Sequence, residues 1–103
     1  MYELVLDLDP PSEEKSSLAV KAALEIYQVL KPLGIIAFIK TSGNKGLQVH
    51  IPLPKETFTY DDTRIFTTFL GDYLKSTFPD DFTTERLKKN RHQRLYLDFG
   101  STS

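Results

Sequence analysis

Apolar and acidic residues alternate through Glu3-Leu4-Val5-Leu6-Asp7-Leu8-Asp9 until Pro10-Pro11 stops the run. Alternation of this kind predicts a strand over residues 2–9 with one buried and one open face. Leu4, Leu6 and Leu8 take one side; Asp7 and Asp9 take the other. Ser12 then stands where it can cap a helix, with Glu13 and Glu14 in the first turn, where acids suit the dipole. The helix is predicted over 13–31, with an apolar stripe of Leu18, Ala22, Ile26 and Leu30 joined by Ala23 and Tyr27. Pro32 and Gly34 end it.

Residues 34–40 (Gly-Ile-Ile-Ala-Phe-Ile-Lys) form a short β-branched apolar run, which predicts a buried strand. Residues 41–46 are small and polar and predict a turn. Alternation returns over 47–53, with Leu47, Val49, Ile51 and Leu53 inward and Gln48 and His50 outward, so the two runs predict a hairpin. A loop over 54–60 leads to a second helix over 61–77, capped by Asp61 or Thr59. Its expected stripe is Ile65, Phe66, Phe69, Leu70, Tyr73 and Leu74, and Pro79-Asp80-Asp81 closes it. A last alternating strand covers 95–99, with Leu95, Leu97 and Phe99 inward and Arg94, Tyr96 and Asp98 outward. The expected division is a core over 1–99 and a frayed tail over 100–103. The order β-α-β-β-α-β predicts an α+β fold of the ferredoxin-like, RRM-like kind. Its expected sheet has four antiparallel strands in the order 4-1-3-2, with both helices on one face.

Composition narrows the class without changing this picture. The chain has 103 residues, enough for one core. No apolar run approaches the roughly 20 residues of a membrane span, and the N-terminus lacks the order of a signal peptide. The absence of cysteine excludes disulfides and thiolate metal sites and fits a reducing cytoplasm. His50 and His92 are the only histidines, too few for a histidine-rich zinc site. A net charge of −1 conceals a basic stretch in which Arg86, Lys88, Lys89, Arg91 and Arg94 are opposed only by Glu85. It reads as a solvated loop or as a phosphate-binding surface.

The predicted topology gathers the chemistry on the open face. Asp7 and Asp9 on the first strand, Asp98 on the fourth, and Gln48 and His50 on the third would lie on strands about 4.8 Å apart. Neighbouring carboxylates repel unless a cation sits between them. Asp7, Asp9 and Asp98 are therefore the expected ligands of a divalent cation. Two cations about 3.5–4 Å apart could activate a 3′-hydroxyl and bridge a nucleoside triphosphate. The turn from Ser42 to Gly46 offers backbone N–H groups, a hydroxyl and Lys45 as a phosphate cradle, although a Walker spacing is absent. His50 reads as a surface residue or as a phosphate contact. His92 reads as an ordinary loop residue. Tyr96 reads as edge packing or as a stacking ring. RNA-binding modules share the topology but carry aromatics on the middle strands, where this chain has Asp7, Asp9, Gln48 and His50. An acidic face repels a phosphate backbone unless metal reverses its charge. The competing interpretation is a non-catalytic ferredoxin-like binding or assembly module. An uncovered sheet face would also let such a core pair with a second copy.

Three stretches together resemble the catalytic motifs of archaeo-eukaryotic primases. They are Leu6-Asp7-Leu8-Asp9-Pro10, the run from Lys40 to Leu53, and Tyr96-Leu97-Asp98-Phe99. The similarity is to the polymerase domain of bacterial ligase D, an end-joining repair ligase. It implies template-dependent addition of NTPs or dNTPs to DNA ends or a template-primer, in the bacterial cytoplasm at the nucleoid. Ligase and nuclease domains and Ku would be partners. By motif position Asp7, Asp9 and Asp98 would be the catalytic acids, and Ser42, Lys45 and Gly46 would meet the incoming nucleotide. The family carries histidine directly after the Gly-Leu of the middle motif. This chain has Gln48 there, with His50 two residues on along the same strand face. Family domains are also longer, so the resemblance implies an excised core.

Overall fold

The computed structural model describes residues 2–42, 46–53 and 59–102. Strand β1 (Tyr2–Asp9) leads into helix α1 (Ser17–Leu30). The hairpin of β2 (Phe38–Ser42) and β3 (Gly46–Leu53) follows, then helix α2 (Tyr60–Thr77). Strand β4 (Phe82–Thr83) precedes β5 (Leu95–Thr102). The sheet order is β2-β3-β1-β5-β4. β1 pairs antiparallel with β3 and β5, and β2 pairs antiparallel with β3. β4 runs parallel to β5.

The expected four strands are present in the expected spatial order, with β1 central. The correction is a fifth strand, which makes the sheet mixed rather than wholly antiparallel. β4 has two residues, Phe82 and Thr83, too few for alternation to register. It is held by burial: Phe82 is fully enclosed and meets Phe78 edge-on at 5.7 Å.

Each element departs from expectation for a local reason. The first helix is not continuous over 13–31. A 3₁₀ turn at Glu13–Lys15 precedes α1, and Ser12 makes no side-chain capping bond. α1 buries Ala19, Ala22, Ala23, Ile26 and Leu30, while Tyr27 is exposed. Three alanines on the packed face let the helix axis approach the sheet. A second 3₁₀ turn, Lys31–Leu33, carries Pro32 and ends at Gly34, whose φ of 72° is the left-handed conformation that glycine adopts without cost. The run over 34–40, expected to be a buried strand, becomes the edge strand β2, shifted toward Ser42. Phe38 and Ile39 are exposed, because β2 has a neighbour on one side only, and Ile36, ahead of the strand, is exposed too.

Thr59 rather than Asp61 caps α2. Its hydroxyl accepts from the Asp62 N–H while the Asp62 carboxylate accepts from the Thr59 N–H, a full capping box. The buried face of α2 is Thr63, Leu70, Gly71 and Leu74, with Phe66 and Tyr73 half-buried. Ile65 and Phe69 point outward instead, so the packed face is turned from the expected stripe. The strand expected over 95–99 continues to Thr102, pairing Val5 with Ser101 and Leu4 with Thr102.

Leu4, Leu6 and Leu8 join Val49, Ile51, Leu95, Leu97 and the buried faces of both helices in one core. Lys21 ties the layers at one side. It pairs with Asp81 at 2.5 Å and lies over the Phe78 ring at 4.1 Å. With both helices on the leucine face, the opposite face of the sheet stays open. No helix among the described residues is long and apolar enough to cross a membrane.

Candidate active site on the open sheet face

Alternation along β1 puts Glu3, Val5, Asp7 and Asp9 on the open face. Register then decides which neighbours they meet. Asp7 stands opposite Asp98 of β5 on one side and Gln48 of β3 on the other. Asp9 stands opposite Tyr96. The β1–β5 register shifts between Val5 and Asp7, with the extra residue on β5 between Asp98 and Ser101, where Gly100 sits. This bulge keeps Asp98 on the face of Asp7 while the strand runs on.

The acids are unequally engaged. Gln48 donates from Nε2 to Asp7 Oδ1 at 2.8 Å. Behind Gln48, its Oε1 lies 3.0 Å from His50 Nε2, and His50 Nδ1 lies 3.1 Å from Glu3 Oε1. His50 is 8% exposed, so its outward position is covered rather than open. Both of its ring nitrogens are engaged within the sheet face. Asp9 Oδ2 lies 3.8 Å from Arg91 Nη1. Asp98 makes no hydrogen bond or ion pair among the described residues.

Arg91 is one of five cations in the basic stretch, and nothing in the composition sets it apart from the others. Its side chain is only 14% exposed. The guanidinium lies 4.0 Å over the Tyr96 ring and donates to the Glu85 and Arg86 carbonyls at 2.9 and 2.7 Å. Arg94 likewise donates to the Arg91 and Asn90 carbonyls. The loop is a folded object built on two arginines, closed into β5 by His92 and Gln93 at positive φ (51° and 64°). The side chains of Arg86, Lys88 and Lys89 keep their charge unpaired among the described residues.

The hairpin brings Ser42 opposite Gly46 in the backbone. Lys45 and the rest of the turn between them lie outside the described residues, as does the side chain of Ser42. Because Leu8 faces Leu47 and Asp9 faces Tyr96, the hairpin ends Ser42 and Gly46 and the basic loop leading into β5 lie toward the Asp9 end of β1.

The donor set suits a hard divalent cation, being carboxylate oxygen alone. As they stand, the side chains do not form a cage. Among the described residues no group of three or more histidine, aspartate or glutamate side chains is placed to hold an ion. Asp7 is committed to β3 through Gln48, and Asp9 faces Arg91. Gln48 engages one oxygen of Asp7 and leaves Oδ2 without a partner among the described residues, on a backbone already in register.

The fold and site define an α+β sheet domain with paired acids on the open face and a basic loop at one end. A family profile described as "LigD, primase-polymerase domain" matches residues 1–102. The bifunctional non-homologous end joining protein LigD of Bacillus subtilis is 53% identical over 97 residues, covering 94% of this chain and 16% of that protein. The multifunctional LigD of Pseudomonas aeruginosa is 30% identical over 95 residues, covering 92% of this chain and 11% of that protein. The solved polymerase domain of Mycobacterium tuberculosis ligase D, in complex with DNA, superposes with a TM-score of 0.81 at 26% identity. That match covers 95% of this chain and 34% of the solved one. The chain belongs to the LigD primase-polymerase domain family, and it spans a small part of the relatives it matches.

Proposed function

We propose that the chain is the catalytic core of a primase-polymerase, a nucleotidyltransferase that adds NTPs or dNTPs to DNA ends in non-homologous end joining. The observation that carries this reading is the Asp7–Asp98 cross-strand pair, with Asp9 two residues on, at the strand end where the hairpin turn lies. Mn²⁺ or Mg²⁺ held by Asp7, Asp9 and Asp98 would supply activation of a 3′-hydroxyl and neutralisation of triphosphate charge. Ser42, Lys45 and Gly46 would cradle the phosphates. His50, whose nitrogens are taken up by Glu3 and Gln48, would act from behind Gln48 rather than on the nucleotide directly. Arg86, Lys88 and Lys89 offer unpaired charge to the DNA backbone at the same end. In a longer protein of this kind, ligase and nuclease domains and Ku would be the partners.

The test measures binding of labelled nucleotide in Mn²⁺ and its incorporation on a primer-template. Asp7→Ala and Asp98→Ala should abolish incorporation and weaken nucleotide binding. A second reading, a non-catalytic module, draws on one observation, the absence of a ready three-acid cluster among the described residues. It is favoured if neither substitution changes metal or nucleotide binding.

A further inference from the structure

Strand β2 ends the sheet on one side, and among the described residues nothing pairs with its outer edge. Every second residue of Phe38–Ser42 therefore turns its backbone N–H and C=O away from β3. Such an edge templates a further strand unless it is short, charged or covered. Lys40 is the one charge on it. Apolar surface lies to either side. Phe38 is on the open face, opposite His50, and Ile39 is on the helix face, opposite Val49. Ile39 and Val49 floor a groove beneath α1, closed on the helix side by Ala23 and Tyr27. Tyr27, Ile36, Phe38 and Ile39 are 48%, 69%, 53% and 51% exposed. At roughly 150–200 Å² per residue of this size, that leaves about 400 Å² of apolar surface on one copy and about 800 Å² on two, before the edge backbone is added. A specific interface begins at about 1,000 Å² in total, so the face has the size for a concentration-dependent dimer.

We propose that β2 pairs antiparallel with β2 of a second copy, about a two-fold axis through Ile39, joining two five-stranded sheets into one. The strand is its own complement in this register. Ile39 meets the partner's Ile39 on the helix face, and the two grooves run together beneath Tyr27 of each copy. On the open face Phe38 meets the partner's Lys40, twice over by symmetry, an ammonium beside an aromatic ring. Centring the pair on Lys40 instead sets two like charges directly opposite, which destabilises a sheet. The lysine thus selects the register rather than forbidding the pairing. An isologous contact of this kind closes at two copies. Its axis stands perpendicular to the sheet, so both helix layers lie on one side and both acid faces stay open on the other. The dimer is therefore independent of the metal reading of those acids.

The experiment follows sedimentation of the whole chain over a concentration series. The wild type should pass from monomer to dimer as concentration rises. Ile39→Glu should weaken association at least about a hundredfold, since two apolar groups are lost from the seam and two like charges oppose each other. Ile65→Glu, exposed on α2, should leave it unchanged. A far-UV spectrum of each variant separates lost pairing from lost fold. Because the chain has no cysteine, single cysteines report the register. Mild oxidation should crosslink Ile39→Cys, whose two Cα atoms would stand about 4.5–5.5 Å apart. Lys40→Cys should stay uncrosslinked, since an offset of two residues sets its copies about 8 Å apart, beyond the reach of a disulfide.

A monomer at every concentration would overturn the proposal. So would a dimer that persists in Ile39→Glu while Ile39→Cys fails to crosslink, which would put the contact on another surface. Crosslinking of Lys40→Cys without Ile39→Cys would overturn the axis through Ile39.

Discussion

Asp98→Asn removes one of two carboxylates that face each other across the β1–β5 register. Cβ atoms in directly opposed positions lie about 4.5–5.5 Å apart, and like charges there destabilise a sheet. At about 5 Å in a water-like dielectric the repulsion is roughly 0.8 kcal/mol. Asparagine keeps the shape and drops the charge, and Asp98 has no bonded partner among the described residues to lose. In a domain near 100 residues, 1 kcal/mol moves Tm by roughly 4–8 °C, so the variant should melt about 3–6 °C above wild type without divalent metal. Salt should shrink the gap, since the Debye length falls to about 3 Å at 1 M. Mn²⁺ should reverse it. At a hundred times its Kd a ligand of the native state adds about 2.7 kcal/mol, and the variant would lack one of the three proposed metal-binding carboxylates. Calorimetric melts with and without Mn²⁺, at low and high salt, read all three effects. A variant that melts below wild type without metal, and shows no crossover with it, would refute the reasoning.

Leu70→Ala should cost about 3 kcal/mol, because Leu70 is fully enclosed, whereas Ile65→Ala at an exposed site should cost under about 0.5 kcal/mol. Comparable losses for the two in urea unfolding would mean that α2 packs by a different face. Thr59→Ala should cost about 1 kcal/mol by opening the capping box, with faster amide exchange at Asp62 as its local signature. Arg91→Met should cost about 2 kcal/mol through its bonds to the Glu85 and Arg86 carbonyls. Arg91→Lys should recover little, since lysine lacks the planar fork; full recovery in chemical denaturation would contradict that account.

The parts of the fold legible in the sequence were those with a long period. Strands β1 and β3 take the predicted inward and outward faces, although Val5 and His50, on the outward face, are buried. What failed was short or decided by neighbours. β4 exists because Phe82 fills a gap beside Phe78, a tertiary fact with no period. The run over 34–40 has the composition of a buried strand, but β2 takes only its end and lies at the sheet edge, which leaves Phe38 and Ile39 exposed. The face of α2 turned because aromatic and β-branched residues can lie on a solvent side as well as a core side. For the site, the shared face of Asp7, Asp9 and Asp98 followed from topology once β1 was taken as central, whereas the register that sets Asp7 opposite Asp98 did not. The Arg91 bonds and the Glu3–His50 contact were not legible, since each depends on which carbonyl or ring nitrogen a side chain reaches.

Asp7, Asp9 and Asp98 are proposed to share divalent metal on the open sheet face. Crystals grown with Mn²⁺ and a non-hydrolysable nucleoside triphosphate test it most directly, by anomalous scattering at the manganese edge. The account predicts manganese density between β1 and β5, bonded to carboxylate oxygens of all three acids, with the triphosphate reaching the Ser42–Gly46 turn. Manganese elsewhere, or none at saturating concentration with Asp7 still bonded to Gln48, would contradict it.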